Sequence, residues 1–432
     1  MSNILEPAEA ALKQGKWPLL YQCLHQVLID RTPEQLSDHT AARVVELAIA
    51  VLEAGDFQDR WDVAKLLPAF GNRAIAPLVG LLQDDDADLE ARWFVARILS
   101  SYSQPGVVIT LAKLLQTAVN EELRSIAAEA LAHMGSPAIA ALTDLLVQDD
   151  TRLFAVRSLV QIRRAETIDP LLRVVDDPQP TIRAIAIEAL GSFHDHRVPP
   201  VLMCALSDPS AAVRQQAVVG LGVRTDLVDA MPLVPLLADR LLDLDLEVCQ
   251  RAAVALGRMR TDAAAIALYQ TLKASQTPLP LQLRLVQALG WMETAIALDS
   301  LHQALLCLEA STAFRPVHQE IITVIGRWTD PALQVQATQV LLSVLSRQSA
   351  ITVDPAVRQA IAVSLGALGQ LTAIESLMQL LADEDLSVRL HAIAALKALD
   401  ASTAHQQLEA LIKRTDVPEA LKQGAAIALQ EW

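Results

Sequence analysis

Residues 176–191 read DDPQPTIRAIAIEALG, residues 207–222 read SDPSAAVRQQAVVGLG, and residues 382–397 read ADEDLSVRLHAIAALK. A chain that rewrites one pattern at a regular interval is constrained before any other property is considered. Each copy is one supersecondary unit, and neighbours must stack to bury what a single copy leaves open. Alignment on the arginine of "IR" or "VR", eight residues before the closing glycine, gives a column through the chain. It reads Arg60, Arg92, Arg124, Arg152, Arg183, Arg214, Cys249, Gln282, His318, Arg358, Arg389 and Lys422, with spacings from 28 to 40 residues. About twelve units then run as a single continuous array over residues 41–432, and residues 1–40 form an N-terminal helical cap.

The units are helix pairs. Hydrophobic residues make up 52% of the chain and aromatics only 3%, so the core must be built from Ala, Leu, Val and Ile. Strand-like alternation is absent, which favours helices packed closely through small side chains. In the first example a short helix over 168–175 stops at Asp177 and Pro178, and a second runs from about Thr181 to Leu190. Gly191 suits its C-terminal exit. Ile182, Ala186, Ala189 and Leu190 fall on one face as the buried stripe. The expected fold is all-α, a right-handed α-solenoid. Trp17, Tyr21 and Leu24, at helical spacing in 5–29, and Trp432 are expected to cap the two ends.

Composition also narrows the function. A net charge of −15 argues against nucleic acid or an anionic membrane as the main partner. No apolar run is long enough to span a membrane and no signal segment opens the chain, so a cytoplasmic location is expected. Four cysteines without CxxC spacing give no disulfide framework. The GxSxG, HExxH, Walker and Rossmann patterns are absent, so no catalytic residue is nominated.

Six units carry an Asp six residues before the column: Asp86, Asp177, Asp208, Asp243, Asp383 and Asp416. Such an Asp can accept hydrogen bonds at a helix start, and the column Arg can reach an acidic turn in its own or the next unit. Arg92, Asp177, Arg183, Asp208, Arg214, Asp383 and Arg389 are therefore read as rungs of a stabilising ladder. An anion-binding stripe would instead require free arginines. Cys23, Cys204 and Cys307 read as small core residues. His194, Asp195 and His196 lie in one inter-repeat loop; together with Cys249, the two histidines are weak metal candidates. Cys249 and His318 stand too far apart in a stack to share an ion. No metal or cofactor of the protein's own is expected.

Positions one, two and five after the column should face the concave wall, where solenoids bind their partners. Near the N-terminus they read Trp61 and Lys65, then Trp93, Phe94 and Arg97, then Phe154 and Arg157. That concentration of aromatics and cations in an acidic chain reads as ordinary packing under the cap or as a binding hot spot.

With these residues in view, the units at 207–222 and 382–397 resemble HEAT repeats of the variety named after phycobilisome lyases. The resemblance implies an α-solenoid and spans nearly the whole chain. Its cyanobacterial relatives include bilin lyase subunits, phycobilisome-degradation factors and a HEAT-repeat protein that interacts with the iron–sulfur carrier IscA. The stretch 89–102, LEARWFVARILSSY, is similar to the opening repeats of the lyases, but their doubled aromatic pairs are missing. Length and the capped N-terminus fit the IscA-interacting type better. Deoxyhypusine hydroxylase, another relative, binds two irons through His-Glu dipeptides, and none occurs here. The resemblance implies a non-enzymatic scaffold whose client is an IscA-type carrier with its iron–sulfur cluster. The alternative is a bilin lyase or bilin chaperone acting on a phycobiliprotein, with the pigment's propionates at Arg97 or Arg157.

Overall fold

The structure, a computed structural model, describes residues 5–308, 314–346 and 350–432. Among these, twenty-five α-helices and nine short 3-10 turns occur, and no strand. Successive helix pairs stack into an α-solenoid. The chain divides into two compact units, Met1–His194 and Asp195–Trp432.

The column sets the register throughout. Every one of its twelve residues is the fourth residue of a helix, from Arg60 in Phe57–Ala64 to Lys422 in Glu419–Gln430. The first unit holds the second helices Phe57–Ala64, Leu89–Leu99, Glu121–Met134, Asp149–Ile162 and Pro180–Leu190. The other seven belong to the second unit, beginning with Ala211–Gly222, Leu246–Met259 and Leu279–Met292. Within each unit, consecutive second helices pack side by side as one wall, with the first helices behind them. Aliphatic stripes supply the core, as Val248, Ala252, Ala255, Leu256 and Met259 do in one helix. The last long helix, Leu386–Lys413, is two helices in sequence, because Asp400 is extended (φ −160°) and caps a new start by accepting from the Ser402 and Thr403 amides.

Some local expectations change. In Pro180–Leu190 the buried stripe is Ile182, Ala186, Ile187 and Leu190, with Ala189 only half-buried, since the neighbouring layers cover one step further round the helix. Gly191 ends that helix with an ordinary right-handed φ of −57°. Farther on, the closing glycine serves packing. A Cβ on Gly222 would lie 2.6 Å from Ala255 Cβ, on Gly290 2.6 Å from Val324 Cβ, and on Gly326 2.5 Å from Ser364 Cβ. Each glycine lets the next second helix approach its backbone. At the N-terminus, Leu20, Leu24 and Val27 are buried, while Trp17 and Tyr21 are half-buried. Trp432 packs its ring against His405 under the Lys397 ammonium.

Candidate interaction site on the second-helix wall

The ladder explains which arginines are available to a partner. In several repeats the column guanidinium donates back to the carbonyl six residues earlier: Arg152 to Leu146 (2.7 Å), Arg214 to Asp208 (2.8 Å), Arg358 to Thr352 (2.8 Å) and Arg389 to Asp383 (2.7 Å). Arg183 does the same to Asp177, at 2.8 Å. The remaining N–H groups reach forward to the next unit's turn. Arg152 meets Asp177 at 3.1 Å, Arg214 meets Asp243 at 2.7 Å, and Arg358 meets Asp383 at 2.6 Å. Those aspartates also accept from the amide two residues on, as Asp177, Asp208, Asp243 and Asp383 all do. One carboxylate thus fixes a turn and receives the previous unit's arginine. Asp86 is exposed and takes no such place. Its role falls to Asp88, the N-cap of Leu89–Leu99, which Arg60 grips at 2.6 Å. Arg92 donates to the Asp84 carbonyl and lies 3.6 Å from Asp85. Asp416 pairs with Arg414 instead of a column residue.

Where the column is interrupted, its residues turn inward. Cys249 is buried and donates from Sγ to the Asp243 carbonyl (3.2 Å); burial pushes its thiol upward, away from the thiolate a metal needs. His318 is buried, burial pulls its pKa down, and its Nε2 has no hydrogen-bond partner among the described residues. Cys204 and Cys307 are exposed and Cys23 half-buried, so none is the core residue expected; their helices turn the sulfur-bearing position outward. Asp195 is claimed by Arg197 at 2.9 and 3.0 Å, which holds its carboxyl well below the usual range, while His194 and His196 are exposed. Among the described residues no three His, Cys, Asp or Glu side chains gather as a metal site.

The aromatic patch is built on two adjacent helices. The Arg97 guanidinium carbon lies 5.3 Å from the Trp61 ring centroid and 5.4 Å from that of Trp93. Arg97 is exposed, and among the described residues its guanidinium has no hydrogen bond or ion pair. Lys65 lies 5.7 Å from the Trp61 ring but is already paired with Asp62 at 2.8 Å. Phe94 is corrected from wall to core: it is fully buried, because Phe57 and Trp61 of the preceding helix close over it at 5.3 and 6.5 Å between centroids. Phe57, half-exposed and stacked on Trp61, was not singled out from the sequence because it precedes the column. Trp93 is half-buried. Phe154 and Arg157 are not on the next helix, since Glu121–Met134 intervenes; there Glu129 and His133 meet the Trp93–Arg97 edge in a shallow pocket. Arg157 is exposed and without an ion pair among the described residues.

A repeated helix pair, stacked through aliphatic stripes and pinned by an arginine–aspartate ladder, defines a HEAT-type α-solenoid. The HEAT-repeat family model matches residues 45–132, 86–153, 139–222 and 338–430, more than half of the chain. The chain belongs to that family. Among solved structures it is similar to Kap95p in its complex with RanGDP, at 15% identity and a TM-score of 0.52, covering 99% of this chain and 65% of that one. Importin beta is similar at 12% identity and a TM-score of 0.51, covering 99% of this chain and 70% of that one. At these identities the likeness shows the fold alone. No curated protein matches the chain. No helix among the described residues is long and apolar enough to cross a membrane.

Proposed function

We propose that this protein is a non-enzymatic scaffold that holds a client protein along its wall of second helices. The observation that carries the reading is Arg97, an exposed guanidinium held over the Trp61 and Trp93 indoles with no acidic partner among the described residues. The column arginines around it are spent on the ladder. A stacked but unpaired guanidinium framed by aromatic surface has the composition of an interface anchor. The wall of second helices is also where solenoids present extended binding surfaces. Kap95p, a chain of similar fold, binds RanGDP.

The finer reading follows the resemblance of the repeats at 207–222 and 382–397 to the phycobilisome-lyase-like type. The client is an IscA-type iron–sulfur carrier, and the site of action is the cytoplasm. The test is capture of a purified IscA-type carrier by the full chain, with Arg97→Glu as the paired variant. Retention by the wild type and loss in the variant is the expected result. No retention removes the carrier as client, and equal retention by both removes the patch. A shift in the visible spectrum of added bilin, abolished by Arg97→Glu, would replace the scaffold with a bilin-binding reading.

A further inference from the structure

At two of the column positions that lack arginine, a guanidinium stands on the wall instead. Cys249 and Gln282 occupy column positions, and Arg251 and Arg284 follow each of them by two residues. An advance of two residues turns about 200° around a helix, which carries the charge from the turn side to the wall. Arg258 lies two turns beyond Arg251 on the same face. The three arginines line one groove of about 280 Å³ across the helices Ala211–Gly222, Leu246–Met259 and Leu279–Met292, with the exposed Val219 and the half-buried Val254 in its apolar lining. The groove is narrow at its base because Gly222 lets Ala255 pack directly against its backbone.

Only one of the three charges is matched by a carboxylate of the lining. Arg251 is paired with Glu247 at 2.9 Å, and Arg284 donates to the uncharged Gln287 amide oxygen at 3.1 Å. Arg258 is exposed and has no hydrogen bond or ion pair among the described residues. Three guanidinia therefore face a single lining carboxylate, on a chain whose net charge is −15. Nucleic acid would need a longer basic track and would be repelled by the rest of the chain. An apolar floor would be wasted on a bare inorganic anion.

We propose that this groove docks an acidic, partly apolar peptide segment of the client protein. An aliphatic side chain of the segment packs on Val219 and Val254, and its flanking carboxylates meet Arg258 and Arg284. The proposal rests on reading the second-helix wall as the client-binding surface, and it adds the chemistry of one segment.

Fluorescence anisotropy tests it, with a fluorescein-labelled peptide alternating Glu and Leu titrated with the full-length protein. Saturable binding is expected, weakened about tenfold or more by Arg258→Glu and by Arg284→Gln. A peptide with Gln in place of Glu, or Ser in place of Leu, should also bind about tenfold more weakly. Thermal melts of both variants establish that they are folded; Arg258 is exposed, so that variant decides the outcome even if the half-buried Arg284 does not tolerate change. Binding that survives Arg258→Glu, or that ignores the Gln-for-Glu exchange, overturns the proposal. Equal binding of the Ser-for-Leu peptide, or displacement by polyphosphate with no need for leucine, makes the groove a general anion site and overturns it as well. Carrier capture is read at Arg97 and peptide binding at Arg258, so the two results are scored separately. Failure of the groove therefore leaves the carrier-capture test standing, and failure of capture leaves the peptide result standing.

Discussion

Arg214 and Asp243 meet side-on across successive repeats, Nε to Oδ2 at 2.8 Å and Nη2 to Oδ1 at 2.7 Å, with side-chain exposures of 12% and 5%. The same guanidinium closes its own turn through the Asp208 and Pro209 carbonyls. Removing it takes both guanidinium contacts from a buried carboxylate and a side-chain donor from two carbonyls at once. Arg214→Ala should lower unfolding free energy by about 1–3 kcal/mol, read from urea melts. Arg214→Lys should recover only part, because an ammonium cannot make the two-pronged contact. Wild-type stability in Arg214→Ala would remove the ladder as a source of stability.

The same pairs set an acid limit. Burial raises the carboxyls of Asp243 and Asp383, but the hydrogen bonds from Arg214 and Arg358 and from the Asp245 and Asp385 amides outweigh it, so both sit below the ordinary value. A carboxyl depressed in the folded state binds protons more readily when unfolded. Its stabilising contribution is therefore present above the unfolded value of about 4 and is lost as pH falls through the lower folded one. Urea midpoints of the wild type should drop steeply below about pH 4. The double variant Arg214→Ala, Arg358→Ala should start lower at neutral pH and fall less over that window. Parallel curves for the two proteins would show that these carboxylates do not govern the acid limit.

Glycine substitutions should split by position. At Gly290 a Cβ would stand 2.6 Å from Val324 Cβ, on a residue already buried. Gly290→Ala should cost about 1–3 kcal/mol despite alanine's better helix propensity, because the neighbouring helix must move. Gly80 lies in the helix Asn72–Gln83 with nothing within 4 Å of the same position. Gly80→Ala should stabilise by about 0.5–1 kcal/mol. Thermal melts of the two variants should move in opposite directions.

These glycines show what a sequence can and cannot disclose in a repeat protein. The helix phase was legible because the aliphatic stripe recurs in every unit and six of the twelve units also carry the turn Asp; each column residue, even Gln282 or Lys422, is the fourth of its helix. The job of Gly222, Gly257 and Gly290 was not, since an exit turn and a close approach ask for the same residue, and only the neighbour's position separates them. The wall was legible in outline and wrong in detail. Phe94 sits at a wall position, yet the aromatic pair Phe57 and Trp61 lies over it. The arginine groove escaped notice because an interrupted column draws attention to Cys249, while the informative residue stands two places later.

The patch around Arg97 can be separated from the core by its response to charge. Trp93 is half-buried and touches Phe94 edge-on at 5.0 Å between centroids, so Trp93→Ala lowers stability as well as contact area. Arg97 is exposed and, among the described residues, rests on the two indoles without a hydrogen bond or ion pair, a contact of about 0.5–1 kcal/mol at such a site. Arg97→Glu should therefore leave the melting temperature within a few degrees of wild type while client capture falls severely. His391, on a second helix of the other unit, already bonds Gln359 at 3.2 Å and the Ser387 carbonyl at 2.7 Å. His391→Glu should reduce capture far less. If Arg97→Glu retains the client, or loses it only in step with lost stability, the aromatics around it belong to the core and the client contacts other residues of the wall.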